Sequence, residues 1–226
     1  MPRKSRYSKP QTETLIKPLR FKNSSQDFYA STIKESTVTF GTGPAGTGKT
    51  YLATYVAIYA LLNKEVDKII LTRPLVATED IGYLPGDMNE KIHPYLMPLF
   101  DAIEAHLGVQ RSNLLFEEGR IEILPLAYMR GRSLNRAFMI LDEAQNTTRE
   151  QMKMFLTRIG EDSKIVITGD IEQSDLPDHL ENGLVWATKR LVGADPQISL
   201  VEFNAKHIVR NPLIEKMLQY LDGPGK

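Results

Sequence analysis

The run Gly43-Pro44-Ala45-Gly46-Thr47-Gly48-Lys49-Thr50 carries residue types and spacing suited to gripping a chain of phosphates. It fits the pattern G-x-x-x-x-G-K-[ST] at every fixed position. Glycines let the backbone turn with its N–H groups pointing inward, where they cradle phosphate oxygens. An ammonium at Lys49 neutralises charge on the β- and γ-phosphates, and the Thr50 hydroxyl is a candidate Mg²⁺ ligand. All of these residues are therefore candidate contacts for a nucleoside triphosphate.

A second constellation supplies what a phosphate grip lacks. Phe138-Met139-Ile140-Leu141-Asp142-Glu143 is an apolar run ending in two acids. Asp142 at its tip is a candidate Mg²⁺ holder, usually through the ion's water shell. Glu143 is placed to polarise an attacking water, as a general base. One acid suffices for the metal, so the second argues for hydrolysis over simple binding. It also argues against a kinase, in which a water-activating acid would waste the triphosphate. A third polar end, Thr168-Gly169-Asp170, is followed by Gln173. Asp170 and Gln173 are candidates to sense the terminal phosphate. A Gly-Asp pair is also a common turn, and the residues alone leave both readings open.

These groups need a scaffold that brings them together. Residues 37–40, 68–71, 121–124, 137–141, 164–168 and 198–203 read as short, mostly buried strands. The loop follows the first of these. Residues 51–62 continue it as a helix, with Leu52, Val56, Tyr59 and Leu62 at helical spacing. Further helical patterns cover 88–107, 148–159, 180–192 and 211–221. The alternation predicts a doubly wound parallel sheet with helices on both faces, a P-loop NTPase core. Right-handed crossovers then place the phosphate loop, Asp142 and Asp170 on one sheet edge.

Composition sets outer bounds. The 226 residues, 42% of them hydrophobic, suffice for one large cored domain. Basic and acidic residues balance at 28 each, so no global charge marks a nucleic-acid binder. The charge is unevenly placed. Residues 1–22 carry Arg3, Lys4, Arg6, Lys9, Lys17, Arg20 and Lys22 against Glu13 alone. That stretch reads as a disordered basic arm, or as a tail contacting nucleic acid, ahead of one domain over 23–226. There are no cysteines and so no thiolate metal site. No signal peptide or long apolar span is evident, and a soluble, cytoplasmic protein is expected. His93, His106, His179 and His207 show no ligand spacing. Asn63-Lys64-Glu65-Val66-Asp67 is one residue too long for a guanine-reading N-K-x-D. Tyr83 and Tyr95 are candidate base-stacking residues or packing residues of a small insertion.

The motif set resembles a known family. Gly43 to Thr50, Asp142-Glu143-Ala144-Gln145 and Gly169-Asp170-Ile171-Glu172-Gln173 resemble motifs I, II and III of superfamily 1 helicases, and Thr72-Arg73-Pro74 resembles motif Ia. Together with Gly82-Tyr83-Leu84-Pro85-Gly86-Asp87, Tyr128-Met129-Arg130-Gly131-Arg132 and Gln151 to Gly160, they resemble the PhoH family of ATPases over residues 20 to 221, in the family's order. The resemblance implies a RecA-like core that uses ATP and Mg²⁺, a role linked to RNA or single-stranded DNA, and head-to-tail hexameric rings. It makes Gln26 a candidate adenine reader. It also places Arg210 where the last helicase motif's arginine falls, as a candidate to act on a neighbouring subunit's site, with Arg130 and Arg132 as alternatives. A competing reading is an ATP-regulated ring-assembly protein without motor activity.

Overall fold

The computed structural model describes residue 16, residues 18–75, 88–177 and 179–209, and residues 213, 217 and 220. Its centre is a six-stranded, fully parallel sheet. The strands are β1 (Val38–Thr42), β2 (Lys68–Arg73), β3 (Ile121–Pro125), β4 (Ala137–Leu141), β5 (Lys164–Gly169) and β6 (Ile198–Glu202). Their order across the sheet is β3-β2-β4-β5-β1-β6. All six expected strands form. The central strands β2, β4 and β5 are largely apolar runs because strands covered on both faces need no polar alternation.

The pleat still sorts their side chains. Ile69 and Leu71 of β2, Phe138 and Ile140 of β4, and Val166 of β5 enter one core layer. Ile70, Met139, Leu141, Ile165 and Ile167 enter the other. This is the two-residue period of a strand, with apolar groups used on both sides. The first layer is roofed by α1 (Ser24–Glu35), α2 (Lys49–Leu62), α3 (Met88–Leu107) and α4 (Val109–Glu117). The second is roofed by α5 (Arg149–Leu156), α6 (Gly183–Leu191) and the short 3-10 turn Leu126–Met129. The doubly wound arrangement expected from the alternation is the one observed.

Several local expectations are corrected. Helix α1 was not expected. Asn23 caps it by accepting the Gln26 N–H at 3.0 Å, and Tyr29, Ala30 and Ile33 are buried. Its weak apolar periodicity is offset by docking, with the Tyr29 ring edge-on to Phe203 at 5.3 Å. Ile16 and Leu19, inside the stretch read as an arm, pack against the first layer. Residues 1–15 lie outside the described residues. Helix α4 was also missed, since Arg111, Ser112 and Asn113 give it a polar reading. Helix α5 ends at Leu156, earlier than expected, because Leu134 and Ile159 pair as a parallel bridge. Helix α6 starts at Gly183, where Asn182 accepts the N–H groups of Leu184 and Val185 at 2.9 and 3.2 Å. The expected helix over 211–221 falls almost wholly outside the described residues. Among the described residues, no helix is long and apolar enough to cross a membrane.

The strand β4 lies between β2 and β5 and carries the two acids, so its burial fixes their position. Phe138 is fully buried there. Replacing it with Ala is expected to lower stability by about 3–5 kcal/mol, measured by chemical denaturation without nucleotide. A loss below about 1 kcal/mol would show that the centre of the sheet can collapse around the gap.

Candidate nucleotide-hydrolysis site

Strands β4, β5 and β1 are consecutive neighbours, so the loops after their C-terminal ends converge. A cavity of about 250 Å³ opens there. It is lined by Ala45, Gly46, Gly48, Lys49 and Thr50 of the phosphate loop, and by Asp142, Glu143, Gly169, Asp170 and Gln173. The loop, the acid pair and the third polar end, far apart in sequence, thus meet at one place.

The loop is held from behind. Gly43 has φ +126°, and a Cβ there would lie 2.2 Å from the Phe203 carbonyl oxygen, so only glycine fits. The Phe203 N–H donates to Thr42 O at 2.7 Å and the Val209 N–H to Gly46 O at 2.9 Å, so the chain following β6 braces the turn. Gly48 takes the left-handed conformation and starts α2, whose N-terminal dipole faces the cavity. Lys49 folds back, donating to Gly43 O at 2.5 Å and Pro44 O at 2.9 Å. Burial pushes its ammonium below the ordinary lysine range, opposed by the carboxylates of Asp170, Asp142 and Glu143.

Asp142 is the electrostatic centre. Its Oδ1 accepts from Thr50 Oγ1 at 2.6 Å and Thr168 Oγ1 at 2.7 Å. Burial raises its carboxyl above the ordinary range; nearby Arg73 opposes this, Glu143 adds to it, and the two threonine bonds oppose it. Burial thus disfavours ionising Asp142 despite these partners. The penalty falls on the fold as pH rises through and above the ordinary carboxylate range. A divalent cation would relieve it. The oxygens of Thr50 and Asp142 fit a hard ion such as Mg²⁺. Among the described residues, no group of three or more His, Cys, Asp and Glu forms a metal cluster.

Glu143 sits at φ 52°, ψ 41°, in the left-handed region that non-glycine residues rarely occupy. Both of its carboxylate oxygens are engaged. Arg73 Nη2 donates to Oε1 at 2.9 Å, and Gln145 Nε2 donates to Oε2 at 2.6 Å. Gln145 Oε1 in turn accepts the Asp170 N–H at 3.0 Å, tying Glu143 to the end of β5. Neither Arg73 nor Gln145 was assigned a role from sequence. Both stand inside the motif strings, but the Arg73–Glu143 and Gln145–Asp170 bonds join the ends of different strands, which spacing does not reveal.

The remaining candidates separate. Gln173 lines the cavity, and its N–H donates to Asp170 O at 3.2 Å. Gln26 lies behind the loop. It is buried, its Nε2 donates to Thr47 O at 3.0 Å, and its Oε1 accepts the Lys22 N–H at 2.9 Å. Arg132 pairs with Glu122 at 2.8 Å, and Arg130 borders a separate cavity with Glu150 and Gln151. The carbonyl of Tyr95 accepts from Arg73 Nη1 at 3.0 Å. Arg210 and Tyr83 lie outside the described residues.

Gln145 is almost fully buried, and its removal leaves the Asp170 N–H without an acceptor. Gln145→Ala is expected to destabilise the nucleotide-free chain by about 1–3 kcal/mol, read by denaturant unfolding. A change within about 0.5 kcal/mol would mean the bridge carries no weight in the fold.

The comparisons with known proteins follow the geometry. The family model described as "PhoH-like protein" matches residues 18–222. A PhoH-like protein of Bacillus subtilis is 52% identical over 207 residues, covering 91% of this chain and 65% of that protein. Protein PhoH of Escherichia coli K12 is 43% identical over 204 residues, covering 89% of this chain and 57% of that protein. The chain thus spans about three-fifths of the length of these curated relatives. Among solved structures, Pif1 helicase from Candida albicans aligns with a TM-score of 0.44 at 14% identity, over 92% of this chain and 46% of its own. The Sulfolobus solfataricus SWI2/SNF2 ATPase core aligns with a TM-score of 0.41 at 16% identity, over 69% of this chain and 34% of its own. The sheet order and loop geometry rest on the strand pairings themselves, and the family match spans nearly the whole chain. The chain belongs to the PhoH-like protein family and has a P-loop NTPase fold.

Proposed function

We propose that this chain hydrolyses ATP to ADP and phosphate, and couples that turnover to RNA or another single-stranded nucleic acid. The observation that carries the hydrolytic part is the complete phosphate loop facing the Asp142–Glu143 pair across one cavity, with Thr50 Oγ1 2.6 Å from Asp142 Oδ1. The loop N–H groups and Lys49 receive the phosphates, Lys49 exchanging its carbonyl partners for phosphate oxygens. Thr50 and Asp142 would hold Mg²⁺, which supplies neutralising charge when bound. Glu143 takes a proton from water, the oxygen attacks the γ-phosphorus, and the bond to ADP breaks with its electrons on the leaving oxygen. Beyond its observed bonds, Gln26 retains a second Nε2 hydrogen and a second Oε1 lone pair. It remains the residue proposed to read adenine.

The nucleic-acid part rests on the helicase-like motif order and on the basic stretch over residues 1–22. A head-to-tail ring, six copies in this proposal, lets a neighbour supply an arginine, with Arg210 the first choice. Such an arginine raises turnover by about 10³–10⁵.

The test is steady-state ATP turnover with Mg²⁺, with and without a single-stranded RNA 20-mer, alongside light scattering. The intact chain is expected to turn over ATP as an oligomer and to respond to RNA. Lys49→Ala is expected to abolish turnover, and Glu143→Gln to keep ATP binding while blocking hydrolysis. Normal hydrolysis by Glu143→Gln removes the base assignment, and an active monomer removes the ring. Turnover indifferent to any polymer favours the ring-assembly reading.

A further inference from the structure

The chain leaving β5 is stitched to the turn that follows Glu143. The Asp170 N–H reaches Gln145 Oε1, and Ser174 Oγ donates to the Gln145 carbonyl at 3.0 Å. Asn146 then holds Asp175 twice. Its Oδ1 accepts the Asp175 N–H at 2.8 Å, and its Nδ2 donates to Asp175 Oδ2 at 3.0 Å. A side-chain amide offers an acceptor and a donor, and Asp175 presents the complement of each. Asn146 is itself almost fully buried, in the 3-10 turn Ala144–Asn146, and its N–H donates to Glu143 O at 3.0 Å. The clasp on Asp175 therefore starts from a fixed point beside the base.

Gln173 stands between the anchors at Asp170 and Asp175. Its own N–H and that of Glu172 both turn back to Asp170, at 3.2 Å to the carbonyl and 3.1 Å to Oδ1. The residue is exposed and lines the phosphate cavity together with Glu143. An exposed side chain on a loop is placed by the backbone beneath it, so the ties on residues 170–175 set where Gln173 points. The Asn146–Asp175 clasp closes that stretch on its far side. Displacing a group that meets the reacting atoms by about 1 Å can cost on the order of 10²-fold in rate.

We propose that Asn146 and Asp175 are a positioning pair: their two-bond clasp holds Gln173 where it meets the terminal phosphate while Glu143 takes the proton from water. This rests on the ATPase reading above, with Gln173 as the group facing that phosphate. The clasp governs the chemical step, with little effect on ATP capture by the phosphate loop.

The test measures kcat and KM for Mg²⁺–ATP in the intact chain and its variants, without polymer. Asp175→Ala removes the carboxylate half of the clasp and is expected to lower kcat about tenfold at nearly constant KM. Asn146→Asp sets one carboxylate against the other and is expected to do the same. These two variants change net charge in opposite senses, so a shared loss reports geometry. Adding Asp175→Asn to Asn146→Asp exchanges acid and amide at constant charge and is expected to restore most of the rate. Gln173→Ala is expected to lower kcat, and Asp175→Ala added to it to cost little more. A raised KM with kcat kept, no rescue by the exchange, an intact rate in Gln173→Ala, or a full further loss in its background overturns the proposal. If Asn146→Asp does not fold, Asp175→Ala, alone and with Gln173→Ala, carries the test. Absence of ATP turnover in the intact chain would instead overturn the ATPase reading, a separate outcome.

Discussion

A single buried carboxylate, that of Asp142, is the constraint around which the site is organised. It stands at the tip of β4, between β2 and β5, with little of its surface open to water. Burying a charge there requires compensation from every side. The phosphate loop supplies Thr50, β5 supplies Thr168, and β2 supplies Arg73. Each partner comes from a different strand end, so satisfying Asp142 draws those strand ends to one point. The carboxyl remains raised despite these contacts, because burial outweighs them. The buried carboxyl therefore favours positive charge beside it, which a divalent cation brought in with the phosphates would satisfy.

The parallel sheet makes this convergence possible. Six short strands carry apolar residues to both faces, and the polar groups that line the cavity stand at or just after strand ends. Loops after neighbouring parallel strands share an edge, so chemistry accumulates there without disturbing the core. The braces behind the phosphate loop follow the same logic. The chain after β6 donates to Gly46, and Gln26 ties α1 to Thr47. The loop is thus held from two sides, by a backbone bond to Gly46 and a side-chain bond to Thr47, before any phosphate arrives.

Much of this was legible from local pattern. The phosphate loop is a short contiguous string, and apolar runs such as Phe138 to Leu141 mark buried strands with little ambiguity. Asp142 and Glu143 were readable because they directly follow such a run. The unread parts depend on contacts that sequence spacing does not record. Arg73 and Glu143 are 70 residues apart, and Gln145 gains its role only when β5 brings the Asp170 N–H to it. Helix α1 was invisible because its stability comes from docking Tyr29 and Ile33 into the core, with little apolar periodicity of its own. Gln26 was singled out, but sequence gave no sign that its side chain also supports the phosphate loop.

In the nucleotide-free chain, Lys49 is occupied by loop carbonyls and Glu143 by Arg73 and Gln145. For the cavity to work as a hydrolysis site with a water-directed attack on the terminal phosphorus, Lys49 must exchange those carbonyls for phosphate oxygens, and Glu143 must accept a proton at a lone pair that Arg73 and Gln145 leave free. The most direct measurement is turnover of Mg²⁺–ATP in ¹⁸O-labelled water, followed by ³¹P NMR. The expected result is label in the released inorganic phosphate and none in ADP. Label in ADP, or no phosphate release by the assembled protein, would contradict the account.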